Sequence, residues 1–121
     1  MKKILIVDDQ IFYLRTIDLS LQGRYETYPC QNIDDALEIL RTKDIDLALL
    51  DIRLDNNDDG NTDGISILEW IKKNKEEIIC FMMSAYKEFS YAEKSLNLGA
   101  VYFFKKPIDI SEMIEIIEEK G

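Results

Sequence analysis

The stretch LALLDIRLDNNDDGNTDG, residues 47–64, begins as an unbroken aliphatic run and ends as a loop crowded with carboxylates. A short apolar run bounded by charged residues is typical of a β-strand that is buried on both faces of a sheet. The run ends on Asp51, and four more aspartates follow: Asp55, Asp58, Asp59 and Asp63. Clustered carboxylates cost free energy unless a cation or a hydrogen-bond network compensates them, so the end of this strand calls for such a partner.

On both sides of this run, the spacing of apolar residues alternates between the strand period and the helix period, five times in all. Strands are predicted at residues 2–8, 25–30, 46–51, 77–84 and 100–106, the second of them shorter, more polar and nearer an edge. Helices are predicted at residues 10–23, 32–44, 63–74, 87–99 and 109–120. Apolar strands joined by helices indicate an α/β fold, a doubly wound parallel sheet with helices on both faces.

Capping residues mark several of the predicted helix ends. Gly23 and Gly99 close the first and fourth helices, where glycine readily adopts the left-handed conformation. Asn32 is the predicted N-cap of the second helix, and Asp109 or Ser111 that of the last. The first helix carries four apolar residues spaced for one inward face: Ile11, Leu14, Ile17 and Leu21.

The chain has 121 residues, the length of one domain, and no linker divides residues 1–121. The sequence leaves open whether an output domain follows residue 121. The sequence contains no histidine, which excludes Ser-His-Asp and Cys-His catalysis and argues strongly against a zinc site. The two cysteines, Cys30 and Cys80, are interpreted as buried free thiols.

Charge and hydropathy narrow the choice of partners and compartment. The net charge of −9 repels nucleic acid and anionic lipid, so we expect neither nucleic acid nor membrane to bind this domain. No apolar run is long enough to cross a bilayer. The amino-terminal run MKKILIVDD is too short for a signal peptide and ends in two aspartates, which predicts a cytoplasmic protein.

Polar side chains stand at the carboxyl ends of four predicted strands, where ligands bind in doubly wound sheets. These residues are Asp8 and Asp9 after the first strand, Asp51 after the third, Ser84 after the fourth and Lys106 after the fifth. Three carboxylates at one edge predict a hard divalent cation, and Mg²⁺ prefers such oxygen ligands. An aspartate can also act as a nucleophile toward phosphorus, with a metal and a lysine to neutralise the developing charge.

Four motifs, in order and on the expected elements, resemble those of a response regulator receiver domain, the phospho-accepting part of two-component signalling. The motifs are ILIVDDQIFYLR, LALLDIRL, CFMMSA and GAVYFFKKP, and the resemblance covers essentially the whole chain. It implies a flavodoxin-like (βα)5 fold with five parallel strands in the order 2-1-3-4-5.

The same resemblance implies the phosphorylation and metal sites. Asp51 would be the residue phosphorylated by a histidine kinase. Asp8 and Asp9 would bind Mg²⁺ together with Asp51, and the backbone carbonyl of Arg53 would be a further ligand.

Three further roles are implied at the ends of the fourth and fifth strands. Ser84 would hydrogen-bond the phosphoryl group, and Lys106 would pair with Asp51 and then with the phosphate. The bond from Lys106 to Pro107 is expected to be cis, which X–Pro bonds tolerate. Phe103 falls on the aromatic switch position, and its movement with Ser84 would alter the face formed by the fourth helix, fifth strand and fifth helix.

The resemblance also implies how the domain acts. It would serve as a switch for an unknown output domain or protein partner. Another possibility is a homodimer formed through the face of the fourth helix, fifth strand and fifth helix. It would take part only in its own phosphorylation and dephosphorylation, and so would not be an enzyme in the turnover sense. Arg53 and Tyr86 flank the implied site, and we hypothesise that they tune hydrolysis.

The sequence departs from the family in the loop DNNDDGNT, residues 55–62, which lengthens the connection to the Asp63–Gly64 pair that opens the third helix. Its first half resembles an EF-hand calcium loop through Asp55, Asn57, Asp59 and Gly60. Thr62 and Ser66 then break that pattern. Four roles of this loop therefore stay open: a solvated acidic insertion, a partner contact, a lid or a calcium site.

Other functions fit the sequence less well. A dehalogenase-type phosphatase usually needs a second acid two residues after its nucleophile, and Arg53 stands there. A flavin-binding module needs a loop that cradles phosphate after the first strand, whereas DDQIFY offers two negative charges and no glycine. A degenerate receiver that binds partners without being phosphorylated is the remaining alternative.

Overall fold

The fold is described from a computed structural model that covers residues 1–55, 57–58, 60–85 and 89–121. Within these residues, five strands and five helices alternate along the chain. The strands are β1 (Lys3–Val7), β2 (Glu26–Cys30), β3 (Leu47–Asp51), β4 (Ile79–Ser84) and β5 (Tyr102–Lys105). The helices are α1 (Ile11–Leu21), α2 (Ile33–Thr42), α3 (Asp63–Asn74), α4 (Phe89–Asn97) and α5 (Ile110–Lys120).

The strands form one parallel sheet in the order β2-β1-β3-β4-β5, which confirms the predicted doubly wound fold and strand order. β2 lies at one edge, as its polar sequence predicted. Within the described residues, no helix is long and apolar enough to cross a membrane.

Each face of the sheet supports its own apolar core, because successive side chains of a strand point to opposite faces. In β1, Leu5 and Val7 pack with α2 and α3, whereas Ile4 and Ile6 pack with α1 and α5. Both faces of the central strands are therefore buried, which explains their continuous aliphatic sequences.

Most of the predicted helix ends agree with the structure. The Asn32 side chain accepts a hydrogen bond from the backbone N–H of Asp35 at 2.9 Å, and Asp109 rather than Ser111 caps α5. Gly23 and Gly99 have φ of 86° and 107°, the left-handed region expected of glycine after a helix. Ile11 differs from the expected inward stripe and is 48% exposed. As the first residue of α1, it lies at the carboxyl edge of the sheet and not over its face.

Both cysteines are free and buried, as predicted. Burial raises the pKa of the Cys30 and Cys80 thiols to about 12, so neither is a reactive thiolate near neutral pH.

Candidate functional site

Three carboxylates converge at the carboxyl edge of the sheet. Asp8 directly follows β1 and Asp51 is the last residue of β3, two neighbouring strands in the sheet. One carboxylate oxygen from each of Asp8, Asp9 and Asp51 lies within 4.8 Å of the others. Asp8 and Asp51 are buried. The backbone N–H of Gln10 donates to Asp8 Oδ1 at 2.9 Å, which fixes one end of the cluster.

A buried ammonium opposes these charges. Lys106 Nζ lies 2.8 Å from Asp8 Oδ2 and 3.6 Å from Asp51 Oδ2, and only 3% of the lysine side chain is exposed. The backbone N–H of Lys106 donates to the carbonyl of Ser84 at 2.9 Å, which ties the lysine to the end of β4. The bond between Lys106 and Pro107 is cis, as expected. The Lys106 ammonium therefore pairs directly with two of the three carboxylates, those of Asp8 and Asp51.

The environment of the cluster disfavours a charge on Asp51. Its pKa is raised to about 8, mainly by burial and also by the carboxylates of Asp8 and Asp9, while Lys106 lowers it. Because an added cation favours the ionised form, a divalent ion at this cluster would restore the carboxylate. All the side-chain donors of the cluster are oxygens, which is the ligand chemistry of Mg²⁺ and Ca²⁺.

Two residues of the site had not been predicted from the sequence. Lys106 Nζ donates to Gln10 Oε1 at 3.0 Å, and it lies 4.2 Å from the centre of the Tyr13 ring. Gln10 is the N-cap of α1, and Tyr13 lies three residues later, in its first turn. The sequence signal for them was only their position shortly after the acidic pair, which does not distinguish a site residue from a packing residue.

Gly64 allows α3 to begin against the end of β3. A Cβ atom at this position would lie only 1.9 Å from the Asp51 carbonyl oxygen. The Gly64 N–H donates to the carbonyl of Ile52 at 2.9 Å. Glycine is therefore required here by the close approach of two backbones, and this contact fixes the chain on which Asp51 sits.

Asn61 joins the two ends of the insertion by hydrogen bonds, a role that had not been predicted. Asn61 Oδ1 accepts hydrogen bonds from the backbone N–H groups of Leu54 and Asp63, each at 3.0 Å. Within the insertion, Asp55 accepts from the N–H of Asn57 and Asp58 from that of Gly60. These side chains satisfy local backbone donors, as aspartate does in turns.

The predicted calcium loop includes Asp59, which lies outside the described residues, so calcium binding stays a prediction. Tyr86 also lies outside them. Arg53 is half-buried near Asp51, and Ser84 is buried at the end of β4. Phe103 is half-buried and packs against the core that contains α3. The structure thus brings the predicted rim residues to one edge, while the switch roles of Ser84 and Phe103 stay predictions.

Known proteins share both the sequence pattern and the fold. A sequence model of the response regulator receiver domain matches residues 4–118. The chain is 37% identical to sporulation initiation phosphotransferase F of Bacillus subtilis over 98% of this chain and 92% of that protein. It is 29% identical to the response regulator protein PilR of Pseudomonas aeruginosa over 96% of this chain, but spans only 25% of that longer protein.

Solved structures show the same similarity. A CheY-like receiver domain protein from Methanospirillum hungatei superposes with a TM-score of 0.89, at 29% identity over 99% of this chain and 93% of that one. The receiver domain of NtrX from Brucella abortus gives a TM-score of 0.85 at 27% identity, covering 97% and 96% of the two chains.

Proposed function

Because the chain belongs to the response regulator receiver domain family of two-component systems, we propose that it is a phospho-accepting switch in which a histidine kinase phosphorylates Asp51. The observation that carries this proposal is the cluster of three carboxylates within 4.8 Å, beside one buried ammonium. Such a cluster is costly to bury and is well suited to hold a cation and a phosphoryl group together.

The chemistry assigned to Asp51 is nucleophilic attack. A carboxylate oxygen forms a bond to phosphorus while the bond between phosphorus and the donor's leaving group breaks, and the leaving group keeps the electron pair. Lys106 is close enough to Asp51 to pair with the negative charge that the phosphoryl oxygens bring. The Ser84 hydroxyl would donate a hydrogen bond to a phosphoryl oxygen.

The residues present fit Mg²⁺. Asp8, Asp9 and Asp51 would hold it, together with the backbone carbonyl of Arg53. When bound, the ion supplies positive charge that neutralises the carboxylates and the phosphoryl oxygens. The raised pKa of Asp51 supports this assignment, because burial and the Asp8 carboxylate both disfavour the charged form, and a bound cation would offset that cost.

The output of the switch is proposed to pass through Ser84 and Phe103 to the face formed by α4, β5 and α5. That face would bind an output domain, a protein partner or a second copy of the domain. The domain would act on its own phosphoryl group alone and would not turn over a separate substrate. Arg53 and Tyr86 would tune hydrolysis of the phosphoryl group, and unchanged dephosphorylation in Arg53→Ala and Tyr86→Ala would remove that assignment.

The relatives support two kinds of output. A relative of nearly equal length is named a phosphotransferase, which supports transfer of the phosphoryl group onward to another protein. The longer regulators, of which this chain spans about a quarter, support an attached output domain. The net charge of −9 supports a function in which this domain contacts neither nucleic acid nor membrane, and the free thiols support a cytoplasmic location.

The test is intact mass after incubation with a small-molecule phosphodonor, with and without Mg²⁺. Wild type should gain one phosphoryl group only when Mg²⁺ is present, and Asp51→Asn should gain none. Asp55→Asn is the matched control, since it makes the same change in the nearby exposed loop and should be phosphorylated like wild type. Phosphorylation of Asp51→Asn at the wild-type rate would overturn the assignment of Asp51.

A further inference from the structure

We propose that Tyr13 is a positioning residue that holds the Lys106 ammonium in place beside Asp51. The inference deepens the proposed function and rests on it, because Lys106 matters there as the cation that meets the phosphoryl group. It concerns a residue on α1 to which the sequence motifs assign no role.

The Lys106 ammonium is shielded from water and is held by side chains. Lys106 has three N–H donors and a side chain that is only 3% exposed, so water cannot satisfy them freely. The ammonium is ion-paired with Asp8 at 2.8 Å and donates a hydrogen bond to Gln10 at 3.0 Å, whereas Asp51 lies at 3.6 Å. Asp8 and Gln10, in the connection between β1 and α1, thus hold the nitrogen more closely than Asp51 does, and its distance to Asp51 depends on what holds it there.

The Tyr13 ring lies against the same ammonium. The ring centre of Tyr13 lies 4.2 Å from Lys106 Nζ, well inside the roughly 6 Å range over which an aromatic face attracts a cation. Two other pairs in the described part of the chain, Arg41 with Trp70 and Lys120 with Tyr102, lie at the limit, at 6.0 and 5.9 Å. The attraction is strongest for a desolvated cation, and Lys106 is desolvated.

The start of α1 carries both Tyr13 and Gln10. Gln10 is the N-cap of α1 and Tyr13 lies in its first turn, and both side chains contact the Lys106 ammonium. The first turn of α1 therefore holds the lysine by a hydrogen bond and by a ring face. Without the ring, the ammonium would gain access to water and lose part of what fixes it relative to Asp51.

The inference can be tested without any phosphodonor, by brief acetylation of the lysines followed by tandem mass spectrometry. The neighbouring Lys105 is exposed and provides an internal reference in every sample. The ratio of Lys106 to Lys105 modification should rise at least about threefold in Tyr13→Leu, which keeps apolar bulk but loses the ring face. It should stay within about twofold of wild type in Tyr13→Phe, which keeps that face.

Two further variants make the result specific. Tyr13→Met also lacks a ring and should behave like Tyr13→Leu, which keeps the test decisive if one of them folds poorly. Tyr28→Leu is the matched control, because Tyr28 is a half-buried tyrosine on β2 whose hydroxyl donates to Glu26. Its Lys106 to Lys105 ratio should equal that of wild type.

Phosphorylation is the second readout. With a small-molecule phosphodonor and Mg²⁺, Tyr13→Leu should be phosphorylated about threefold to tenfold more slowly than wild type, and Tyr13→Phe should restore the rate. Equal lysine labelling in the Leu and Phe variants overturns the positioning role, whatever the phosphorylation rates. Failure of wild type to be phosphorylated overturns the proposed function instead, and the two failures are distinguishable because labelling requires no phosphodonor.

Discussion

Aspartates of the rim and aspartates of the insertion occupy opposite environments, although few residues separate them in the sequence. At the rim, Asp8 and Asp51 are buried and share one ammonium. In the insertion, Asp55 and Asp58 are exposed, and each accepts a hydrogen bond from a backbone N–H within its own turn. The same residue type is thus exposed and bonded within its own turn in one place, and buried and paired with a lysine distant in the sequence in the other.

This difference indicates which carboxylates are expected to bind a ligand: the buried and clustered ones, and not those in exposed turns. Turn aspartates are stabilised by the backbone and by water, so they need no ligand. Buried aspartates that outnumber their cations lower stability, and a protein keeps them where a bound ion or phosphoryl group will compensate. Each of the variants below tests that contrast and has a matched control elsewhere in the chain.

The largest effect is expected from Gly64→Ala. The new Cβ would lie 1.9 Å from the Asp51 carbonyl oxygen, and both groups belong to backbone that cannot move aside without displacing α3 or β3. We expect a loss of about 2–4 kcal/mol in the free energy of unfolding, measured by urea denaturation.

Gly60→Ala is the control for this prediction. Among the residues that the structure describes, its Cβ would meet only Asp58 Oδ1 at 3.5 Å, an ordinary contact with a surface side chain. Stability should change by no more than about 0.5 kcal/mol. Equal losses in the two variants would show that the rim is no more tightly built than the insertion.

The next effect concerns the charge of Asp51 in the absence of divalent cations. Burial raises the pKa of Asp51 from its ordinary 3.8 to about 8 in the folded protein. The folded state therefore binds this proton more tightly than the unfolded state, so this group's contribution to stability is lost as pH rises from about 4 to 8. In EDTA at neutral pH, Asp51→Asn should be more stable than wild type by about 1–3 kcal/mol.

Two comparisons sharpen that prediction. The advantage of Asp51→Asn should grow as pH rises through the window from about 4 to 8, because only wild type loses stability there through this group. Asp55→Asn, in an exposed turn, should stay within about 0.5 kcal/mol of wild type at every pH. An Asp51→Asn protein that is less stable than wild type in EDTA would mean that Lys106 fully compensates the buried charge.

Much of this contrast was readable in the sequence, for a physical reason. In a parallel sheet, the carboxyl ends of all strands lie at one edge, so locating five strand ends also locates the rim residues. The apolar runs before Asp8 and Asp51 made those ends easy to find. The acidic excess of the rim followed from counting charges at that edge.

Contacts that depend on how elements lie against each other were not readable. The role of Tyr13 depends on how α1 is rotated over the sheet, and its sequence spacing alone fits a packing residue equally well. The bonds of Asn61 depend on how the chain folds back after the insertion. Ile11 fitted the apolar stripe of α1 and is nevertheless exposed, because the helix begins at the edge of the sheet.

A further effect should be seen on adding Mg²⁺. If the rim holds the ion, Mg²⁺ at ten times its dissociation constant should raise the free energy of unfolding of wild type by about 1.4 kcal/mol. The same addition should have little effect on Asp51→Asn, which lacks one of the three carboxylates. Asp55→Asn should respond like wild type, and a loss of the response only in that variant would place the ion in the insertion.

The smallest effect is expected from Asn61→Ala, which tests whether the insertion is separate from the site. The change removes the acceptor for the N–H groups of Leu54 and Asp63, and about 1 kcal/mol of stability should be lost. Amide hydrogen exchange should accelerate at those two residues. Because Gly64 still bonds to the carbonyl of Ile52, the end of β3 should keep its place and the Mg²⁺-dependent phosphorylation rate should stay near that of wild type.

Asn74→Ala is the matched control, since it removes an exposed asparagine whose bond to the carbonyl of Trp70 lies at the far end of α3. It should leave exchange at Leu54 and Asp63 unchanged. A marked fall in phosphorylation in Asn61→Ala alone would mean that the return of the insertion helps to hold Asp51. The aspartates of the two regions would then belong to one site, and the division between a self-satisfied loop and a charged rim would be wrong.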